Sequence, residues 1–387
     1  MDILLDKQEL EIQEAISSLF AGECSTDLLR KSEEHPLHYS PELWNRFTAD
    51  GWLQLCLSAE CGGEELPLSY LALLFELAGY HIAPLPLHST LTAALIIDRH
   101  GNEEQRKLLL DVSSGDLILS HAVVEQNGRW STNAITLEGR IDGEELVLNG
   151  RKGFVGGFLA SSRCVVIYRD ASSPENLGVV LVPTDIPGLK SEALISMAKD
   201  GEATIHFEDV RVPLGNRIGE TGSGNKIARE MMDFSAVLYA CMMAGAARRT
   251  LDMAVEHAKQ REAFGQPIGA FQAIQHLCAN MLNAIDGTVM LAREALWRLD
   301  RGLPAHVHVA QAKSFANEHC MMTCRSAQQI HGGMGFMLEF DLNLWYRRIG
   351  SWSLRGGTIA EHRRTVSAAL LDTPGHVRIG AVPGSSI

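Results

Sequence analysis

Residues 261–272 read Arg-Glu-Ala-Phe-Gly-Gln-Pro-Ile-Gly-Ala-Phe-Gln, and residues 329–335 read Gln-Ile-His-Gly-Gly-Met-Gly. Arg261 offers a planar fork of donors suited to phosphate oxygens. Gly332 and Gly333, lacking Cβ atoms, let a ligand approach the backbone closely. Gln272 and Gln329 supply amide hydrogen bonds, and Phe264 an apolar wall. Taken singly, these residues read more simply as structural, with Arg261 capping a helix C-terminus and Gly332-Gly333 ending a helix.

Around these segments the periodicity is helical. Four long amphipathic stretches, at 226–261, 268–300, 305–331 and 341–371, predict a four-helix bundle, with Gly302-Leu-Pro breaking the second from the third. Upstream lie short β-branched runs at 117–124, 134–137, 145–148, 164–168, 178–182 and 203–207, divided by turn signals such as Leu148-Asn-Gly. Before them, Leu5, Ile12, Ile16, Leu19 and Phe20 share a face of a helix over 3–21, and 42–55, 67–82, 89–99 and 102–111 also suit helices. The expected organisation is α+β and multidomain. An N-terminal helical domain (1–116) is followed by a middle β-domain (117–224), a C-terminal helical bundle (225–372) and a flexible tail (373–387). No alternating βαβ pattern supports a Rossmann domain. The run Gly219-Glu-Thr-Gly-Ser-Gly-Asn-Lys226 lacks the P-loop spacing, because Asn225 separates its glycine from Lys226.

Composition narrows the function classes. Hydrophobic residues make up 46% and charged residues 21%, as in ordinary globular enzymes, and the net charge is −13. That charge opposes binding to nucleic acid, which rests on Lys and Arg neutralising phosphates, and to anionic membranes. No apolar run approaches the roughly 18–20 residues needed to span a bilayer. The N-terminus is acidic where a signal peptide is basic, so a cytoplasmic chain is expected. Eight cysteines show no disulfide framework. His319, Cys320 and Cys324 lack further ligands, so no metal site is expected and the thiols read as buried.

Motifs and domain order together resemble the acyl-CoA dehydrogenase family over nearly the whole chain. Arg261-x-x-Phe264-Gly265 with Gln272, and Gln329-x-x-Gly332-Gly333-x-Gly335, match its two most specific signatures. Asp209-Val-Arg-Val-Pro213 and Gly222–Ala228 resemble its passage from β-domain to first bundle helix, and Leu148-Asn-Gly-Arg-Lys152 its flavin-side hairpin. The resemblance implies FAD as cofactor and an acyl-CoA thioester as substrate. It implies a homo- or hetero-oligomer, usually a dimer of dimers, and electron-transfer flavoprotein as a possible electron acceptor. In the family the two signatures serve a flavin lodged mainly in a neighbouring subunit. Arg261, Phe264, Gln272, Gln329, Gly332, Gly333 and Thr358 are then the cofactor-binding candidates.

The same resemblance exposes what is missing. The family's reaction removes an α-proton with a carboxylate, usually Glu, while the β-hydrogen leaves as hydride. One usual position of that Glu, before a Gly-Thr pair, holds Gly356; the other, in the first bundle helix, holds Ser235. The nearest acids are Asp233, on another helix face, and Glu361, read as solvated beyond Thr358. No catalytic residue is assigned. The loop that usually reads Thr-Glu-Pro-x-Ala-Gly-Ser-Asp is Val124-Glu-Gln-Asn-Gly-Arg-Trp-Ser131 here. Where Trp-Ile-Thr is usual, the chain has Phe154-Val155-Gly156, and Ala360 replaces an expected Gln. The part serving a neighbour's flavin survives, and the part cradling the chain's own is eroded.

Three readings follow. One is an FAD-dependent acyl-CoA dehydrogenase (an α,β-desaturase) whose partner subunit supplies the Glu, as in bacterial family members built from two unlike chains. The second is a non-catalytic structural subunit of such a complex. The third is altered chemistry, a flavin monooxygenase or a hydratase.

Overall fold

The computed structural model describes residues 4–372; the expected tail at 373–387 lies outside the described residues. Six helices come first: α1 (Lys7–Glu23), α2 (Thr26–Glu34), α3 (Pro41–Ala49), α4 (Ser69–Tyr80), α5 (Leu87–His100) and α6 (Glu103–Ser114). Their ends are set by local side chains. Ser25 caps α2 by accepting from the Leu28 amide. Ser40 caps α3 ahead of Pro41, whose missing N–H costs nothing there. Asn102 and Gln105 form a reciprocal capping box at α6. The short α2 is not foreseen from the hydrophobic periodicity.

Seven strands follow: β1 (Leu119–Ala122), β2 (Glu138–Asp142), β3 (Glu145–Gly156), β4 (Arg163–Asp170), β5 (Leu177–Pro183), β6 (Leu189–Leu194) and β7 (Glu202–Pro213). They form one sheet in the order β1-β4-β2-β3-β7-β6, with β5 paired to β4. Ala122, Leu146, Leu148, Val166, Val180, Ile205 and Val210 belong to its buried core. One expectation needs correction, and two strands, β2 and β6, lie outside the expected runs. Residues 134–137 are not a strand, because the Glu125 carboxylate accepts the amides of Thr136 and Leu137, both at 2.8 Å, and so occupies donors a ladder would use. The edge strand β6 is solvated along most of its length and carries no alternation to reveal it.

The rest is mainly helical: α7 (Gly224–Gln260), a two-residue-per-arm hairpin of β8 (Glu262–Ala263) and β9 (Gln266–Pro267), α8 (Gln272–Asp300), α9 (His306–His331), α10 (Leu342–Trp352) and α11 (Ile359–Ser367). The fourth expected bundle helix is thus two. Gly356 and Gly357 take φ of +64° and +96°, which breaks the helix, and Thr358 starts α11 with a capping box to Glu361. Glu361 is therefore a structural partner of Thr358 and not a merely solvated acid.

By packing, the chain forms two compact units. One joins α2, α3, α5, α6, the sheet and the start of α7 to Ser235; the other joins α1, α4, α7 from Ala236, and the remaining helices. In the second unit α4 and α7 touch backbone to backbone. A Cβ on Gly245 would lie 1.7 Å from the Glu76 carbonyl oxygen, and one on Gly79 would lie 2.0 Å from that of Met242. The small residues at 244–247 serve this close approach.

Candidate functional site

The first cluster is built where α7 ends. The Arg261 amide donates to the His257 carbonyl at 2.8 Å, and the Ile268 amide closes the hairpin onto the Arg261 carbonyl at 2.8 Å. The two-residue turn is Phe264-Gly265, at φ +55° and +81°. Left-handed backbone suits glycine or asparagine in such turns and strains a phenylalanine. Phe264 is nevertheless 95% exposed, with an edge-on approach to Phe271 at 6.0 Å between centroids. A strained aromatic ring held in solvent gains nothing from its own chain's core.

The second signature lies at the end of α9. Gln329, Gly332 and Gly333 are exposed, and Gly332–Phe336 forms a 3-10 turn flanked by the exposed apolar side chains of Phe336, Met337 and Leu338. A Cβ built on Gly333 would meet no atom within 4 Å. Packing within this chain therefore gives no reason for a glycine at Gly333.

The structure ties the two signatures together through residues the sequence reading passed over. The rings of His257, one turn before Arg261, and His331, next to Gly332, stack with centroids 4.5 Å apart and planes at 26°. His331 is pinned by a 2.7 Å Nδ1 bond to the Ala327 carbonyl. His331 stands inside the quoted motif and His257 four residues before Arg261, so spacing was the available signal. Gln272 opens α8 and is exposed. Thr358 is placed differently: its hydroxyl donates to the Glu361 carboxylate at 2.8 Å and accepts the Glu361 amide, the geometry of a helix cap.

The two positions that the resemblance assigns to the base are buried, unlike the exposed signatures. Gly356 and Gly357 are buried, and a Cβ on Gly356 would lie 3.1 Å from Ala236 Cα and 3.2 Å from both Lys313 Cε and Tyr239 Cδ2. Three carbonyls at this turn are held by buried side chains. Lys313 Nζ donates to Trp352 O at 2.8 Å and to Asn317 Oδ1 at 2.5 Å. Asn317 Nδ2 donates to Gly357 O at 2.9 Å, and His362 Nε2 to Gly356 O at 2.6 Å. Burial pushes the Lys313 ammonium down to about 7.

Ser235 is 1% exposed. His88 Nε2 donates to its carbonyl at 2.9 Å, and His121 Nε2 lies 3.3 Å from its hydroxyl. Burial holds His121 neutral, with its pKa down to about 4. Asp233 is also buried.

On the sheet side, Glu125 of the altered loop is held by fully buried Lys152, Nζ to Oε1 at 3.0 Å. Phe154 sits at φ +55°, where β3 bulges against β7, and a Cβ on Gly156 would meet nothing within 4 Å. Among the described residues no group of three potential metal ligands occurs, and no helix is long and apolar enough to cross a membrane.

An all-helical start, a β-sheet middle and a helical end bearing the two signatures define a flavoenzyme class, and the comparisons agree. The family model for the acyl-CoA dehydrogenase N-terminal domain matches residues 6–116, and that for its C-terminal domain matches residues 222–371. The chain is 31% identical over 282 residues to a mitochondrial isobutyryl-CoA dehydrogenase of Dictyostelium discoideum, covering 71% of this chain and 68% of that one. It is 30% identical over 369 residues to the caffeyl-CoA reductase-Etf complex subunit CarC of Acetobacterium woodii, covering 90% and 94%. Among solved structures, the Tcur3481–Tcur3483 steroid ACAD superposes with a TM-score of 0.85 at 25% identity, covering 93% of this chain and 97% of that one. The chain belongs to the acyl-CoA dehydrogenase family, as an oxidoreductase of CH–CH donors with FAD as cofactor.

Proposed function

We propose that this chain is one of two unlike subunits of an FAD-dependent acyl-CoA dehydrogenase. In this reading Arg261, Phe264, Gln272, Gln329, Gly332 and Gly333 hold a flavin lodged in the neighbouring subunit. That neighbour supplies the carboxylate that takes the α-proton. The bound flavin supplies the hydride acceptor for the β-hydrogen, and Arg261 offsets the negative charge of its diphosphate. Electrons then leave to an electron-transfer flavoprotein; the CarC relative is named as part of an Etf complex. The steroid ACAD of like fold bears a two-protein name, which supports pairing with an unlike chain.

One observation carries the reading: the flavin-holding signatures face outward on a surface their own chain does not need, while Gly356 and Ser235 are buried in networks without a carboxylate base. Thr358, which caps α11 with Glu361, remains a cofactor-binding candidate alongside the signature residues. The test uses the complex co-expressed with its partner. Arg261→Ala lowers flavin occupancy and acyl-CoA oxidation together, by about ten- to a hundredfold if a charge-assisted phosphate contact is lost. Unchanged occupancy and rate leave only a structural subunit.

A further inference from the structure

Two segments separated by all of α8 and α9 must keep a fixed spacing if they are to grip one cofactor. We infer that the stacked rings of His257 and His331 set that spacing, making His257 a positioning residue for the flavin face. The inference rests on the flavin reading above and adds to it the element that joins its two halves.

The geometry leaves little freedom at either ring. His257 lies one helical turn before Arg261, and its carbonyl accepts the Arg261 amide at 2.8 Å, so the base of the hairpin and the ring move as one body. His331 is only 6% exposed and ends α9 immediately before Gly332. Its Nδ1 bond to Ala327 fixes the ring plane. Phe340 packs against it at 5.1 Å and 51°, while His257 covers it at 26°. Beyond Gly332 the turn folds back on α9: Gln328 Nε2 donates to the Gly335 carbonyl at 3.4 Å, and a Cβ on Gly335 would sit 2.8 Å from the Gln328 carbonyl oxygen. The glycine turn is therefore rigid relative to His331, and the hairpin base relative to His257. The stack is a direct side-chain link between these two bodies. Desolvation, then the nearby His331 and Arg261, lower the pKa of His257, so the stack is not opposed by two positive rings. An imidazole is not chemically required for this duty; a flat ring of similar size suffices.

The test compares His257→Ala, His257→Phe and Arg261→Ala in the co-expressed complex, with FAD affinity measured by fluorescence titration after deflavination and folding followed by thermal melting. His257→Ala weakens FAD about three- to tenfold, the scale of one aromatic pair, while His257→Phe restores affinity to near wild type. Affinity unchanged in His257→Ala beside a clear loss in Arg261→Ala overturns the positioning role and leaves the flavin reading intact. A His257→Phe protein that melts normally but binds as poorly as His257→Ala also overturns it. Wild-type affinity in Arg261→Ala removes the flavin reading and the inference with it.

Discussion

Two of the chain's glycine pairs, Gly332-Gly333 and Gly356-Gly357, have opposite surroundings. Gly332-Gly333 is exposed, and at Gly333 a side chain would meet open space. Gly356-Gly357 is buried at positive φ, ringed by Lys313, Asn317 and His362, which hold the carbonyls of Trp352, Gly357 and Gly356. The first pair lies on a surface with room for a side chain, which the proposed reading assigns to a flavin held by the neighbouring subunit. The second is a turn filled in by the chain itself, where residue type follows from backbone geometry and packing. Ser235 repeats the second pattern in the other unit, with His88 and His121 bonded to it. The two positions that the resemblance assigns to the base thus hold a glycine and a serine, each buried among hydrogen-bonding side chains, while the outward face keeps a strained, exposed phenylalanine.

If that contrast is correct, restoring a carboxylate at the buried pair has the largest effect, and the wrong one for catalysis. Gly356→Glu places a side chain at φ +64° with backbone of Ala236 only 3.1 Å from its Cβ. It destabilises the chain by about 3 kcal/mol or more, read by urea denaturation, and yields no exchange of the acyl-CoA α-proton in deuterated water. A stable Gly356→Glu chain that exchanges that proton would show an open niche.

Acid acts next. The buried rings of His121 and His362 are each held down from 6.5 to about 4, chiefly by desolvation. Because the unfolded rings take protons first, stability is full above pH 6.5, falls toward pH 4 and levels below. The loss is about 1–3 kcal/mol for each ring. His362→Gln should flatten part of this slope; an unaltered slope would mean that ring is not held neutral by its niche.

The smallest effect belongs to the exposed face. Phe264→Asn relieves a left-handed phenylalanine and stabilises the isolated chain by about 0.5–1 kcal/mol, yet weakens association with the partner, followed by analytical ultracentrifugation. A destabilised isolated chain would mean that Phe264 serves its own fold.

The sequence made the helical–β–helical order readable because periodicity switches sharply, and the two signatures because their spacing is fixed. Other features depend on contacts that periodicity does not encode. The Glu125 carboxylate draws Thr136 and Leu137 away from a ladder. The His257–His331 stack pairs residues far apart in the chain. Lys313 reads as an ordinary polar helix residue until it is found fully buried beneath Trp352. The break before α11 was legible, since Thr358-Ile-Ala-Glu361 is a capping-box pattern following two glycines, but the long apolar periodicity from 341 masked it.

The central claim is that this chain holds a flavin for a neighbour and needs that neighbour for chemistry. Its most direct measurement is the FAD content of the chain purified alone and of the co-expressed pair, from visible absorbance and protein mass. The account predicts a colourless chain alone and a yellow complex with one FAD for each pair of unlike subunits. A yellow homomer with one FAD per chain that oxidises acyl-CoA would contradict it.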